Sequence, residues 1–264
     1  PPRSVKEVSL PLSMVRRPAY AAQVSTWNFA FATVARTAWA EAGHVAASSQ
    51  VVVPSDPQPP LMTGVVGLEE PRFEETADAM QVTGPEFAVR ISKESGAIAS
   101  WTVKGEERLL APLAPNFWRA PTDNDRGSHM PERHAVWRRA AEHGAVRGVS
   151  VKREVDDTWL VLVKLAFPDA GDTTGTLIYK FTNAGQIRVT FKVEPKGPNL
   201  PSMPRFGMTM QIPSALDQVT WLGRGPQESY ADRKASAFFG KYTLPAGAFL
   251  FPYLEPQETG TRTE

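Results

Sequence analysis

Proline occupies 24 of the 264 positions, about twice its ordinary share of ~5%, and this more than any other feature restricts the fold. Proline lacks the backbone N–H and fixes φ, so it interrupts helix interiors and is kept out of central strands. A chain punctuated so often favours short strands joined by loops. The periodicity agrees. Trp27, Phe29 and Phe31 alternate with Thr26, Asn28, Ala30 and Ala32, which puts the large aromatics on one face of a strand. Phe87–Ile91, a turn at Lys93-Glu94-Ser95-Gly96, and Ile98–Val103 read as a β-hairpin. The stretches 159–166, 175–181, 186–193, 208–212 and 219–222 continue the pattern. One stretch reads as helix, 131–143, opening with Pro131 and Glu132 and closing at Gly144. One helix among many strands predicts an all-β fold built of β-sandwiches.

The Pro-rich run Pro54-Ser-Asp-Pro-Gln-Pro-Pro60 reads as an extended linker. The expected organisation is the end of one small β-domain over 1–54, a linker over 55–72 and a larger β-sandwich over 73–264. The first residue is Pro1 and the last are polar, and both ends read as cuts. A sandwich cut at Glu264 is expected to leave open strand edges and to be poorly stable alone.

Charge excludes some partners. Lys and Arg number 29 against 28 Asp and Glu, so there is no clustered basic surplus of the kind nucleic acid requires, and none is expected as a partner. No apolar run reaches the roughly 18–20 residues of a membrane helix, and no membrane partner is expected. No signal peptide is seen, which favours the cytoplasm. There is no cysteine, so disulfides and thiolate metal sites are excluded.

Two segments concentrate chemistry-bearing residues. Asn116-Phe-Trp-Arg-Ala-Pro-Thr-Asp-Asn-Asp-Arg-Gly127 packs Asp123, Asn124 and Asp125 behind a proline. The cluster can offer oxygens to a hard cation or to sugar hydroxyls, or it can be a tight turn, since Asp and Asn bond their own backbone. The second segment, Trp221 to Lys234, carries Glu228, and Glu228 with Glu258 could form a glycosidase carboxylate pair. Most such carboxylates instead pair with arginine. His129, His134 and His143 crowd the expected helix, but no spacing is HExxH. The aromatics read mainly as core.

Several segments together resemble the five-domain bacterial-type β-galactosidases of glycoside hydrolase family 2. Trp39-Ala-Glu-Ala-Gly-His44 with Gln50 is similar to the end of that family's immunoglobulin-like fourth domain. The segment 116–127, Pro204-Arg-Phe-Gly207, Trp221 to Lys234, and Pro252-Tyr-Leu-Glu-Pro-Gln-Glu-Thr-Gly-Thr-Arg-Thr263 resemble its fifth, small-chain domain. Ala46-Ala47-Ser48-Ser49, Ser229 and Thr259 depart from the family pattern.

The resemblance implies a galactose-mutarotase-like super-sandwich after the immunoglobulin-like piece, incomplete at its C-terminus. It implies retaining hydrolysis of β-galactosides such as lactose by two glutamates in a barrel domain outside this sequence. No catalytic residue is carried over, and the segment alone is expected to be inactive. No cofactor is expected to be bound by this segment, and Mg²⁺ with Na⁺ is expected in the complete enzyme. The implied partners are the sugar, the preceding barrel domain and further copies in a homo-oligomer. Asp123, Asn124, Asp125 and Gly127 are expected near the substrate, positioning a mouth loop at about 127–132. Competing readings are a stand-alone carbohydrate-binding sandwich and a structural subunit recruited from this family.

Overall fold

Alternating apolar residues become the inner faces of two antiparallel sheets. The computed structural model describes residues 5–9, 25–53, 69–154, 158–182 and 185–262. In chain order the strands are β1 (Ser25–Ala32), β2 (Val45–Val53), β3 (Arg72–Glu75), β4 (Ala79–Thr83), β5 (Phe87–Ser92), β6 (Ile98–Val103), β7 (Glu106–Glu107), β8 (Ala111–Asn116), β9 (Ala145–Arg153), β10 (Trp159–Ala166), β11 (Thr174–Phe181), β12 (Ile187–Glu194), β13 (Gly207–Gln211), β14 (Gln218–Gly225) and β15 (Phe238–Pro245). Helices α1 (Asp123–Gly127), α2 (Met130–Arg133) and α3 (Ala135–Glu142) lie between β8 and β9. The fold is all-β and of sandwich type. The expected linker at Pro54–Pro60 lies outside the described residues.

The chain divides into two compact units. One comprises Pro1–Pro60, Thr220–Leu244 and Gly260–Glu264. In it β1 pairs antiparallel with β2, Trp27 opposite Val51, and β14 pairs with β15. Gln50 ties these elements together. Its amide donates to Asn28 Oδ1 (2.8 Å) and to the Phe239 carbonyl (2.9 Å), and accepts from the Phe239 N–H (2.6 Å). One side-chain amide thus imitates the backbone ladder of a strand.

The other unit, Leu61–Val219 with Pro245–Thr259, is the larger sandwich. A seven-stranded sheet runs β13-β8-β6-β5-β4-β3, with β7 pairing β6, and a four-stranded sheet runs β12-β11-β10-β9. Val82, Val89 and Ile91 from the first sheet and Val161, Val163, Leu177, Tyr179 and Phe181 from the second are all fully buried in one cluster. Every one of these sits at an alternating position, which is the period-2 rule made physical. Trp137 and Ala140 of α3 join the same interior, and the Trp137 indole donates to the Pro201 carbonyl at 2.8 Å.

The hairpin read from the sequence forms as expected, with Phe87 opposite Val103. Its turn is pressed against the opposite sheet: Gly96 has φ +68°, and a Cβ there would lie 2.5 Å from Val163 Cγ1. The Tyr179 hydroxyl, whose pKa burial pushes up, donates to the Gly96 carbonyl at 2.9 Å.

Two readings need correction. The single helix over 131–143 is broken at His134, which caps the end of α2 and the start of α3. Met130 and Trp137, seven residues apart, are both buried, so the inward face keeps helical spacing across the break. The turn at Asp123–Asp125 is the helix α1, because Thr122 and Asp125 form a capping box. Strands β2, β3, β4, β7, β8, β9 and β15 were not read in the sequence. Pro112 and Pro115 hide β8, which touches β6 at a single register pair, Ile98 with Leu113. Gly148 and a register shift opposite Lys164 and Leu165 break the alternation of β9.

Gly96→Ala should destabilise the sandwich by about 2–4 kcal/mol, from a left-handed alanine and an overpacked core. Amide hydrogen exchange in the intact protein checks this: β10 and β11 should lose protection in parallel.

Candidate functional site

The segment that leaves the core after β8 is held by an aromatic side chain and then by arginine. Asn116 closes a tight turn, its Oδ1 accepting from the Trp118 N–H at 3.0 Å. Phe117 is fully buried, edge-on to Trp137 (6.0 Å) and Phe167 (5.0 Å) and stacked on Phe191 (5.9 Å). Its carbonyl accepts from the Arg205 N–H at 3.3 Å. Two residues later the Arg119 guanidinium forks onto Asp125, one arm at 3.0 Å. It also donates from Nε to the Pro204 carbonyl at 3.3 Å and from Nη1 to the Ala120 carbonyl at 3.2 Å.

Asp125 in turn serves α1. Its Oδ2 accepts from the Thr122 N–H at 2.8 Å, while the Thr122 hydroxyl accepts from the Asp125 N–H at 3.2 Å. Hydrogen bonds from Arg119 hold the Asp125 carboxyl down from its ordinary 3.8 to about 2; burial opposes them and bonds from Thr122 add to them.

The segment 256–258 lies along α1. Arg126 donates to the Pro256 carbonyl and, at 3.3 Å, to Asp123 Oδ1. Gln257 donates to Asp123 Oδ2 at 3.3 Å. The Glu258 N–H donates to the Pro121 carbonyl at 3.3 Å, and its carboxylate, 8% exposed, accepts from Arg205 at 2.6 Å. Three of the motif segments named from sequence, at 116–127, 204–207 and 252–263, therefore meet around α1.

Of the four residues singled out, Asp125 and Asp123 face arginine and amide donors. Asn124 and Gly127 are exposed, and a Cβ on Gly127 would meet no heavy atom within 4 Å. The oxygen donors of Asp123 and Asp125 are directed at guanidinium and amide groups, so the pair does not fit a hard cation, which needs several free oxygens. Among the described residues no cluster of three or more His, Cys, Asp or Glu is placed to hold a metal. Sequence reasoning missed Arg119, Arg205, Arg126 and Gln257 as the partners. Thr122-x-x-Asp125 was the one legible signal, a capping box written with Asp in place of Glu.

Glu228 belongs to the other unit, where it has a different task. It accepts from Arg233 at 2.5 Å and from the Gly260 N–H at 3.0 Å. Arg262 there donates to the Pro226 carbonyl from Nε (3.0 Å) and Nη2 (2.7 Å), and lies over the Trp221 ring at 5.6 Å. Of the histidines, His44 meets Trp39 edge to face at 5.4 Å and His143 bonds Asp169 at 2.8 Å.

Residues 83–264 match the family described as Beta galactosidase small chain. The chain is 34% identical over 229 residues to a β-galactosidase of Priestia megaterium, covering 86% of this chain and 22% of that protein. It is 29% identical over 271 residues to one of Aeromonas hydrophila, covering 97% and 26%, and 28% identical over 239 residues to one of Vibrio cholerae, covering 86% and 23%. The chain thus spans about a quarter of the length of the relatives it matches.

Since the folded Asp125 pKa is depressed, its contribution to stability is present above about 3.8 and lost as pH falls toward 2. Both side chains of the fork are mostly shielded, at 24% and 16% exposure, so the contribution is roughly 2 kcal/mol. Asp125→Asn should remove this part of the acid dependence, measured as the urea-unfolding free energy of wild type and variant between pH 2 and 6.

Proposed function

The chain belongs to the β-galactosidase small-chain family, and on that premise we propose that it is a non-catalytic portion of a β-galactosidase. The complete protein hydrolyses terminal β-D-galactosides with retention, using two glutamates of a barrel domain and Mg²⁺ held outside this chain. This portion supports the barrel and presents α1, with Asn124 and Gly127 exposed, at the mouth of the sugar site. The complete protein works as a homo-oligomer.

One observation carries the reading: three carboxylates of the motif segments, among them both of the candidate pair, are committed to arginine. Asp125 takes Arg119, Glu258 takes Arg205 and Glu228 takes Arg233. A retaining glycosidase needs two carboxyls about 5–5.5 Å apart, one able to give up and take back a proton. An ion-paired carboxylate held at about 2, as Asp125 is, makes a poor proton exchanger near neutrality. α1, in contrast, leaves polar groups outward where sugar hydroxyls could meet them.

Purified residues 1–264 should show no turnover of a chromogenic β-galactoside with Mg²⁺ present, while the complete protein turns it over. In the complete protein Asn124→Ala and Gly127→Ala should raise KM about two- to tenfold, the loss of one hydrogen bond or its geometry. Neither change burdens the fold, since both positions are exposed and Gly127 has room for a methyl. Turnover by residues 1–264 alone would overturn the reading and direct attention to Glu228 and Glu258.

A further inference from the structure

Helix α1 has five residues and buries none of its side chains. So short a helix is unstable by itself, and without an apolar anchor its direction is set by polar contacts. The contacts are unequal. Asp123, Arg126 and Gln257 are joined on the exposed side, by bonds of 3.3 Å from Arg126 and Gln257 to the Asp123 carboxylate. The Arg126–Asp123 pair is 45% and 62% exposed, where such bridges contribute little. Arg119 and Asp125, by contrast, are shielded, and the fork supplies two parallel bonds whose planes fix orientation as well as distance. The same guanidinium grips the Pro204 and Ala120 carbonyls, so it references α1 to the turn before β13 and to its own lead-in chain. Lead-in and turn are fixed in their turn, because Phe117 is buried and its carbonyl holds Arg205.

We propose that Arg119 is a positioning residue: its planar fork on Asp125 sets the pose of α1, and through it the position of Asn124 and Gly127 toward the sugar. This rests on the reading of α1 as part of the sugar-site mouth. Arg119 itself touches no substrate. Its action depends on geometry more than on charge, so lysine, a single flexible point charge, is not a substitute.

The test uses the complete protein and a chromogenic β-galactoside. Arg119→Lys keeps the charge and loses the fork. It should raise KM roughly tenfold, with kcat within about threefold of wild type, because a binding group displaced by a fraction of an ångström weakens association before chemistry. The melting temperature should fall further than in Arg90→Lys, a change in the exposed Arg90–Asp78 bridge of the same unit, and Arg90→Lys should leave KM unaltered. Where Arg119→Lys yields no folded protein, Asp125→Glu shifts the fork by one methylene and should show the same split between KM and kcat.

Wild-type KM in the folded Arg119→Lys enzyme, alongside raised KM in Asn124→Ala and Gly127→Ala, would overturn the proposal and leave the reading of α1 standing. Wild-type KM in all three would overturn both. Loss of kcat and thermal stability in step, without a selective rise in KM, would reduce Arg119 to a purely structural bridge and overturn the proposal as well.

Discussion

The larger unit depends on burying one face of each of its two sheets in a single interior. Valine, leucine and phenylalanine side chains supply the driving force, each contributing about 1.5–3 kcal/mol when fully buried. Close packing then dictates details that burial alone would not. The β5–β6 turn approaches the opposite sheet so nearly that only glycine fits at position 96. Tyr179 reaches across the same gap. Its hydroxyl is buried, and a buried hydroxyl without a partner is costly, so the Gly96 carbonyl that receives it fixes the spacing of the sheets at that point. A glycine that permits close approach and a tyrosine that needs an acceptor are two parts of one contact.

From that interior the order extends outward in steps. Phe117 is the last fully buried residue on the path toward α1, wedged among Trp137, Phe167 and Phe191. Beyond it the chain changes from hydrophobic to ionic restraint: Arg205 on Glu258, Arg119 on Asp125, and the backbone of 256–258 along α1. Residues far apart in sequence are drawn to one small helix. The arrangement explains why acidic residues gather in the segment without forming a metal site. Each already has a cationic or amide partner, and the surrounding chain is shaped to keep it.

The sequence made one level of this legible and hid another. Strands β5, β6 and β10 were read with boundaries within a residue of those observed: β5 and β10 alternate buried with less buried positions, and the turn at 93–96 marks where β6 begins. β8 escaped because its two prolines look like breakers, and they are tolerated where the pairing with β6 is confined to one register pair. The helix over 131–143 was read in the right place yet as one piece, since the buried Met130, Trp137 and Ala140 keep helical spacing across the break at His134, so periodicity does not reveal it. The polar site divided the same way. Asp123, Asn124, Asp125 and Gly127 stood out as a cluster, but Arg119–Asp125 and Arg205–Glu258 span 6 and 53 residues, and no repeat length announces such pairs.

The electrostatics bear on what this chain can contribute to chemistry. A general acid or base works best when its pKa lies near the operating pH, and sites for proton transfer are built by withholding counter-charges from a carboxyl. Around α1 the opposite has been done: the fork from Arg119 drives Asp125 to about 2, where it stays ionised and rigid across the physiological range. The same bonds that disqualify Asp125 as a proton carrier make it a good fixture, because an ion pair shielded on both sides resists reorientation. On the proposed reading, shape is what this surface has to offer a substrate, presented at exposed positions of α1 with room around Gly127 and an unburied amide at Asn124.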